Sequence, residues 1–157
     1  MSAPIIYSTA VAPEWIDYNG HLRDAYYGLI LSYACDALMD RLGLDEHYRK
    51  QTQCTLFTLE QHLHFLHEVK QTDRVQVAVR LVAADHKRLH AAFDFYCARY
   101  PDPIAASELM LLHVRQSDPP AAAAFPPAIA AAIATLLAAT AKLPAPGPVS
   151  GKLELRR

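Results

Sequence analysis

The chain has 157 residues, 52% of them hydrophobic, and a formal net charge of −1. A chain of this length buries roughly two thirds of its unfolded surface, enough for one domain with a real core. Its near-neutral charge excludes a global field that recruits nucleic acid or an anionic membrane.

Met1-Ser2-Ala3-Pro4 lacks the basic and apolar regions of a signal peptide. The three cysteines, Cys35, Cys54 and Cys97, form no C-x-x-C pair, which favours reduced thiols over a disulfide framework. A cytoplasmic location is therefore expected.

Residues 4–12 alternate loosely around Ile5, Ile6, Tyr7 and Val11 and predict a strand, ended by Pro13. Glu14-Trp15-Ile16 turns into Asp17-Tyr18-Asn19-Gly20-His21. Residues 22–42 then predict a long amphipathic helix. Leu22, Tyr26, Leu29, Ile30, Tyr33, Ala37 and Leu38 share one face, with Ala25 and Ala34 at its margins. Asn19 is the candidate N-cap and Gly43 the stop.

A polar connection through Tyr48-Arg49-Lys50-Gln51 leads into four strand-like runs. Residues 52–69 set Phe57, Leu59, Leu63 and Phe65 on one row and Thr58, Glu60, His62 and His64 on the other. In 74–84 the row is Val75, Val77, Val79, Leu81 and Ala83. After the turn Asp85-His86-Lys87-Arg88 comes Leu89, Ala91, Phe93, Phe95 and Cys97. The last run takes Ile104, Ala106, Met110, Leu112 and Val114 as its apolar row, with Glu108 the exception. Period-two alternation with one apolar row indicates a sheet covered on one face.

Residues 119–141 carry no charge, and about 20 such residues suffice to span a bilayer. Pro126-Pro127 interrupts them, however, and leaves an alanine-rich stretch over 128–141. Its stripe of Ile129, Ile133, Leu136 and Leu137 predicts a helix docked on protein, not in a membrane. The tail over 143–157 is expected to be irregular. No repeat or second domain is evident, so 1–157 is expected to form a single domain.

Strand, long helix and four antiparallel strands make an α+β chain whose element order resembles the hotdog fold, a curved sheet around a central helix. Asp17-x-Asn19-x-His21, followed by Thr58-Leu59-Glu60, is similar to hotdog thioesterases of the 4-hydroxybenzoyl-CoA and acyl-carrier-protein groups. The resemblance implies Asp17 as nucleophile or general base, Asn19 and His21 as helpers, and Glu60 as a fourth catalytic member. It also implies an acyl-CoA substrate, no cofactor, and a homodimer or homotetramer with the site between subunits.

The chemistry fits these residue types on its own terms. A carboxylate can attack a thioester or deprotonate a water. Free amides at the mouth of the helix, over residues 21–24, suit a developing oxyanion. Asp17 and Asn19 are equally the residues that cap a helix, and Glu60 lies off the apolar row of its strand. Lys87 and Arg88, with Arg74 and Lys70, are candidates for the coenzyme A phosphates, against ordinary turn polarity. His62, His64, His67, His86 and His90 lack known zinc spacings, and no metal is expected.

Trp15, Tyr18 and Tyr27 fall off the helical stripe and are candidates to line an acyl pocket. The stretch from Trp15 to His21 also resembles thioesterases of carnitine breakdown that release betaine from betainyl-CoA, whose trimethylammonium group suits aromatic faces. A hotdog hydratase and a non-catalytic acyl-CoA-binding module are the alternatives. Asn19-Gly20-His21 departs from the hydratase pattern, which usually has a proline after the Asn and a wider Asp–His spacing.

Overall fold

The order of elements follows the alternation and punctuation of the sequence closely. The structure, a computed structural model, describes residues 3–144 and Leu155. Among these are β1 (Ile5–Ala10), a single 3₁₀ turn (Pro13–Trp15), α1 (Asp24–Leu42) and α2 (Glu46–Thr52). There follow β2 (Cys54–Phe65), β3 (Arg74–Ala84), β4 (Arg88–Tyr96), β5 (Ala105–Arg115), β6 (Ala121–Ala122) and α3 (Pro127–Thr140). The strands form one antiparallel sheet in the order β1-β3-β4-β5-β2, with β6 pairing on β5. Most of the predicted tail lies outside the described residues.

Register shifts between Ile5 and Tyr7, Thr58 and Glu60, and Leu81 and Ala83 mark bulges. A bulge bends and twists its strand, and these let the sheet curl about α1. Tyr27, Ile30, Leu31, Ala34 and Leu38 of α1 pack with Val77, Val79, Phe93, Phe95, Leu109 and Leu111 in one core. On α3, Ile129, Ile133 and Leu136 are buried and Leu137 packs against the same core. No helix among the described residues is long and apolar enough to cross a membrane.

Four expectations are corrected. First, α1 buries Tyr27, Ile30, Leu31, Ala34, Leu38, Met39 and Leu42, whereas Tyr33 is 43% exposed. Leu22, on which the expected face is anchored, is buried but precedes the helix, so the true face is rotated. Second, the polar connection is α2. Asp45 caps it by accepting from the Tyr48 amide at 2.8 Å, and Gln53 closes it in the left-handed region at φ 56°.

Third, the core row of β5 is Ala105, Leu109 and Leu111, the row opposite the expected one. Both faces of this strand are buried, so its apolar residues do not alternate cleanly. Fourth, the bulge at Leu59 breaks the expected row of β2. Leu56, Thr58 and Gln61 line a cavity against α1 with Gly28 and Leu31, whereas Glu60 falls on the other face, opposite Met110.

Candidate active site

Asn19 caps no helix: α1 starts at Asp24, and its cap residue is Arg23, which makes no side-chain cap bond. The motif forms a small hairpin instead. Ile16 and Leu22 bridge antiparallel, the Asp17 amide donates to the His21 carbonyl at 2.8 Å, and the Gly20 amide donates to the Asp17 carbonyl at 3.0 Å. Gly20 closes the loop at φ +79°, a conformation that a β-carbon penalises.

The hairpin fixes one carboxylate. Asp17 Oδ1 accepts from the amides of Asn19 at 2.8 Å and His21 at 3.1 Å. The His21 amide, the Asn19 amide and side chain, and the His21 charge hold the Asp17 carboxyl below its ordinary range, against the opposing effect of desolvation. Oδ2 is the oxygen outside this amide clamp. Asp17, Asn19 and His21 are thus brought together, in a turn rather than a helix cap.

Two further amides hold the hairpin in place, Leu22 donating to the Val69 carbonyl in the β2–β3 loop at 2.7 Å and Arg23 to the Trp15 carbonyl of the 3₁₀ turn at 2.9 Å. The amides over 21–23 are therefore not free, which corrects the expected oxyanion donors. Ala25 donates to Asp24 Oδ1 at 2.8 Å and Tyr26 to the Arg23 carbonyl at 3.0 Å. That leaves the amide of Asp24, the first helical residue, with no acceptor inside the helix.

A cleft of about 310 Å³ opens at this helix mouth, lined by His21, Leu22, Asp24, Tyr27, Phe65, Leu66, His67 and Glu68. Asp17 lies one hydrogen bond behind it, through His21. Tyr27 crosses Phe65 edge to face at 5.1 Å, and its hydroxyl donates to the His67 carbonyl at 3.5 Å. Burial pushes the Tyr27 hydroxyl up to about 12, so it stays protonated.

The remaining expected site residues disperse. Trp15 stacks on Tyr26 at 5.4 Å, and Tyr18 is 91% exposed on the hairpin loop. Of the three expected aromatic pocket residues, only Tyr27 lines the cleft. Glu60 bonds His62 at 3.0 Å on the face away from α1, and the chain does not bring it to Asp17.

Lys87 and Arg88 cap the far end of the β3–β4 hairpin, where Arg88 pairs with Asp85 at 2.7 Å. The motif docks at the opposite end of β3, whose 11 residues span roughly 35 Å. Arg74 and Lys70 sit at the motif's end, so the four cations form no common phosphate site within one chain. Among the described residues, no group of three or more His, Cys, Asp or Glu converges as metal ligands. Sequence reading missed Glu68, Asp24, Phe65 and His67 as cleft residues. No periodic signal marks them, because Phe65, Leu66, His67 and Glu68 mix apolar and polar residues at the end of a strand.

This arrangement, a clamped carboxylate at a helix mouth beneath a curled sheet, has relatives. The family model of the thioesterase-like superfamily matches residues 11–133. The chain belongs to the thioesterase-like superfamily. This thioesterase is 49% identical over 140 residues to the betainyl-CoA thioesterase of Pseudomonas aeruginosa, a match covering 89% of this chain and 87% of that one. The L-carnitine dehydrogenase/betainyl-CoA thioesterase of Agrobacterium fabrum is 40% identical over 103 residues, 64% of this chain and 20% of that longer protein.

Among solved structures, a candidate thioesterase of Pseudomonas putida superposes with a TM-score of 0.83 at 40% identity, covering 100% and 99% of the two chains. A Staphylococcus aureus protein in complex with CoA gives a TM-score of 0.80 at 28% identity, covering 88% and 87%. The fold is the hotdog fold expected from the element order.

Proposed function

We propose that this acyl-CoA thioesterase hydrolyses betainyl-CoA to betaine and coenzyme A, with Asp17 as the nucleophile or general base. The observation that carries the mechanism is the Asp17 carboxylate, clamped through Oδ1 by two amides beside the cleft. The substrate rests on the 49% identity to the Pseudomonas aeruginosa enzyme of that name.

Oδ2 of Asp17 takes a proton from water, or attacks the carbonyl itself. In the first case the hydroxide adds to the thioester carbon, and the tetrahedral intermediate expels the coenzyme A thiolate. In the second a mixed anhydride forms, the thiolate leaves, and water then cleaves the anhydride. In both, the Asp24 amide and the positive end of α1 stabilise the oxyanion. Asn19 orients the carboxylate, and His21 joins it to the cleft.

The same reading includes a homodimer, with a homotetramer as its doubled form. The support is β2, a twelve-residue strand at the edge of the sheet with Phe57, Leu59 and Phe65 exposed. A long apolar edge is a template for pairing with another copy, and a second chain offers a route for Glu60 to reach the cleft.

Free-thiol release from an acyl-CoA panel tests the assignment. Betainyl-CoA is expected to give the highest kcat/KM. A clear preference for long neutral acyl chains overturns the substrate, and no thiol release from any member overturns thioester hydrolysis.

A further inference from the structure

The cleft at the mouth of α1 carries an unusual combination of groups for a site that takes acyl chains. Two carboxylates line it, Asp24 and Glu68, and no lysine or arginine does. Phe65 is 53% exposed beside them, its ring edge to face with Tyr27. A neutral acyl chain seated here strips water from a carboxylate and returns no counter-charge, which costs free energy. An anionic acyl group is repelled outright.

A quaternary ammonium behaves differently. It has no N–H to donate, so geometry cannot hold it by hydrogen bonds. It is held by negative charge and by aromatic faces, which attract such cations by about 0.5–2 kcal/mol each. Resting on the betainyl-CoA reading above, we propose that Glu68, with the Tyr27 and Phe65 rings, is the determinant that selects a cationic acyl group.

The two carboxylates are not equivalent. Asp24 Oδ1 is engaged by the Ala25 amide at 2.8 Å. Glu68 is held ionised by its own backbone amide, by a hydrogen bond from the Tyr100 hydroxyl, and by the nearby charges of His21 and Lys70, which together outweigh desolvation. Tyr100 in turn stacks on His67 at 4.4 Å, so the loop carrying Glu68 is fixed at two points. His21 lines the cleft beside Glu68, and its backbone amide binds Asp17, so one residue links the cation-reading carboxylate to the reacting one. In betainyl-CoA the trimethylammonium group is one methylene from the thioester carbonyl, so the group that reads the cation must line the same cleft as the reacting carbon, as Glu68 does.

The test compares betainyl-CoA with 3,3-dimethylbutanoyl-CoA, which replaces the quaternary nitrogen by carbon and removes only the charge. In the wild type, kcat/KM favours betainyl-CoA, and Glu68→Gln lowers the ratio of the two values by about tenfold or more, mostly through KM. Phe65→Leu lowers it less, by a few-fold. A Glu68→Gln variant that stays folded by circular dichroism and keeps the wild-type ratio overturns the assignment of Glu68 while leaving the substrate intact. A wild type that favours the neutral ester overturns the betainyl reading itself.

Discussion

Strands β4 and β2 are built from similar residues and meet opposite fates. From Leu89 to Phe95 every residue of β4 is buried, whereas in β2 only Cys54 is. The difference lies in their neighbours. β4 sits between β3 and β5, whereas β2 pairs only with β5 and turns its other edge outward. A central strand is defined by the core it must fill. An edge strand is free to bulge, and it exposes apolar side chains to whatever pairs or binds there.

The largest break in that contrast is expected from core truncation. Phe93→Ala is predicted to cost about 3–5 kcal/mol in denaturant unfolding, because its ring is fully buried among packed neighbours. Gly20→Ala meets no atom within 4 Å, so its cost is backbone strain alone. We expect about 1 kcal/mol of stability loss and a lower kcat, since the hairpin that clamps Asp17 is distorted.

On the edge, Leu59→Asp tests pairing rather than packing. Leu59 is 56% exposed, so the substitution should leave the protomer's secondary structure unchanged. It should convert dimer to monomer in sedimentation at micromolar concentration; a monomeric wild type contradicts the pairing. The smallest effect is expected at Lys87→Ala, with stability within ~0.5 kcal/mol and KM within about twofold of wild type. A tenfold rise in KM would instead bring the hairpin of a second chain to the site.

The same contrast explains what the sequence disclosed. Strict alternation in β3 and β4, and the proline-bounded stripe of α3, identified those elements and their buried rows. The expected row of β2 holds only beyond the bulge at Leu59, where Leu63 packs on the core and Phe65 on Tyr27, and the row of β5 is obscured because both its faces are buried. The position of Asp17 was legible from its neighbours. Its partners were not, because Asn19 fits a helix cap and a hairpin turn equally well, and only Gly20 in the left-handed region separates the two. Glu68 was invisible, since the Leu22–Val69 hydrogen bond that carries its loop to the cleft joins segments far apart in the chain.

Asp17 carries the proposed chemistry. Its carboxylate must be ionised to act, and its clamp lowers the pH at which it protonates. Activity should therefore persist through the ordinary aspartate range as pH falls, and be lost only as pH drops through the depressed value. The most direct test is hydrolysis of betainyl-CoA by Asp17→Asn, with ligand binding measured in parallel. A loss of about 10²–10⁴-fold in kcat is expected, with binding retained. A variant that keeps within tenfold of the wild-type rate would contradict it.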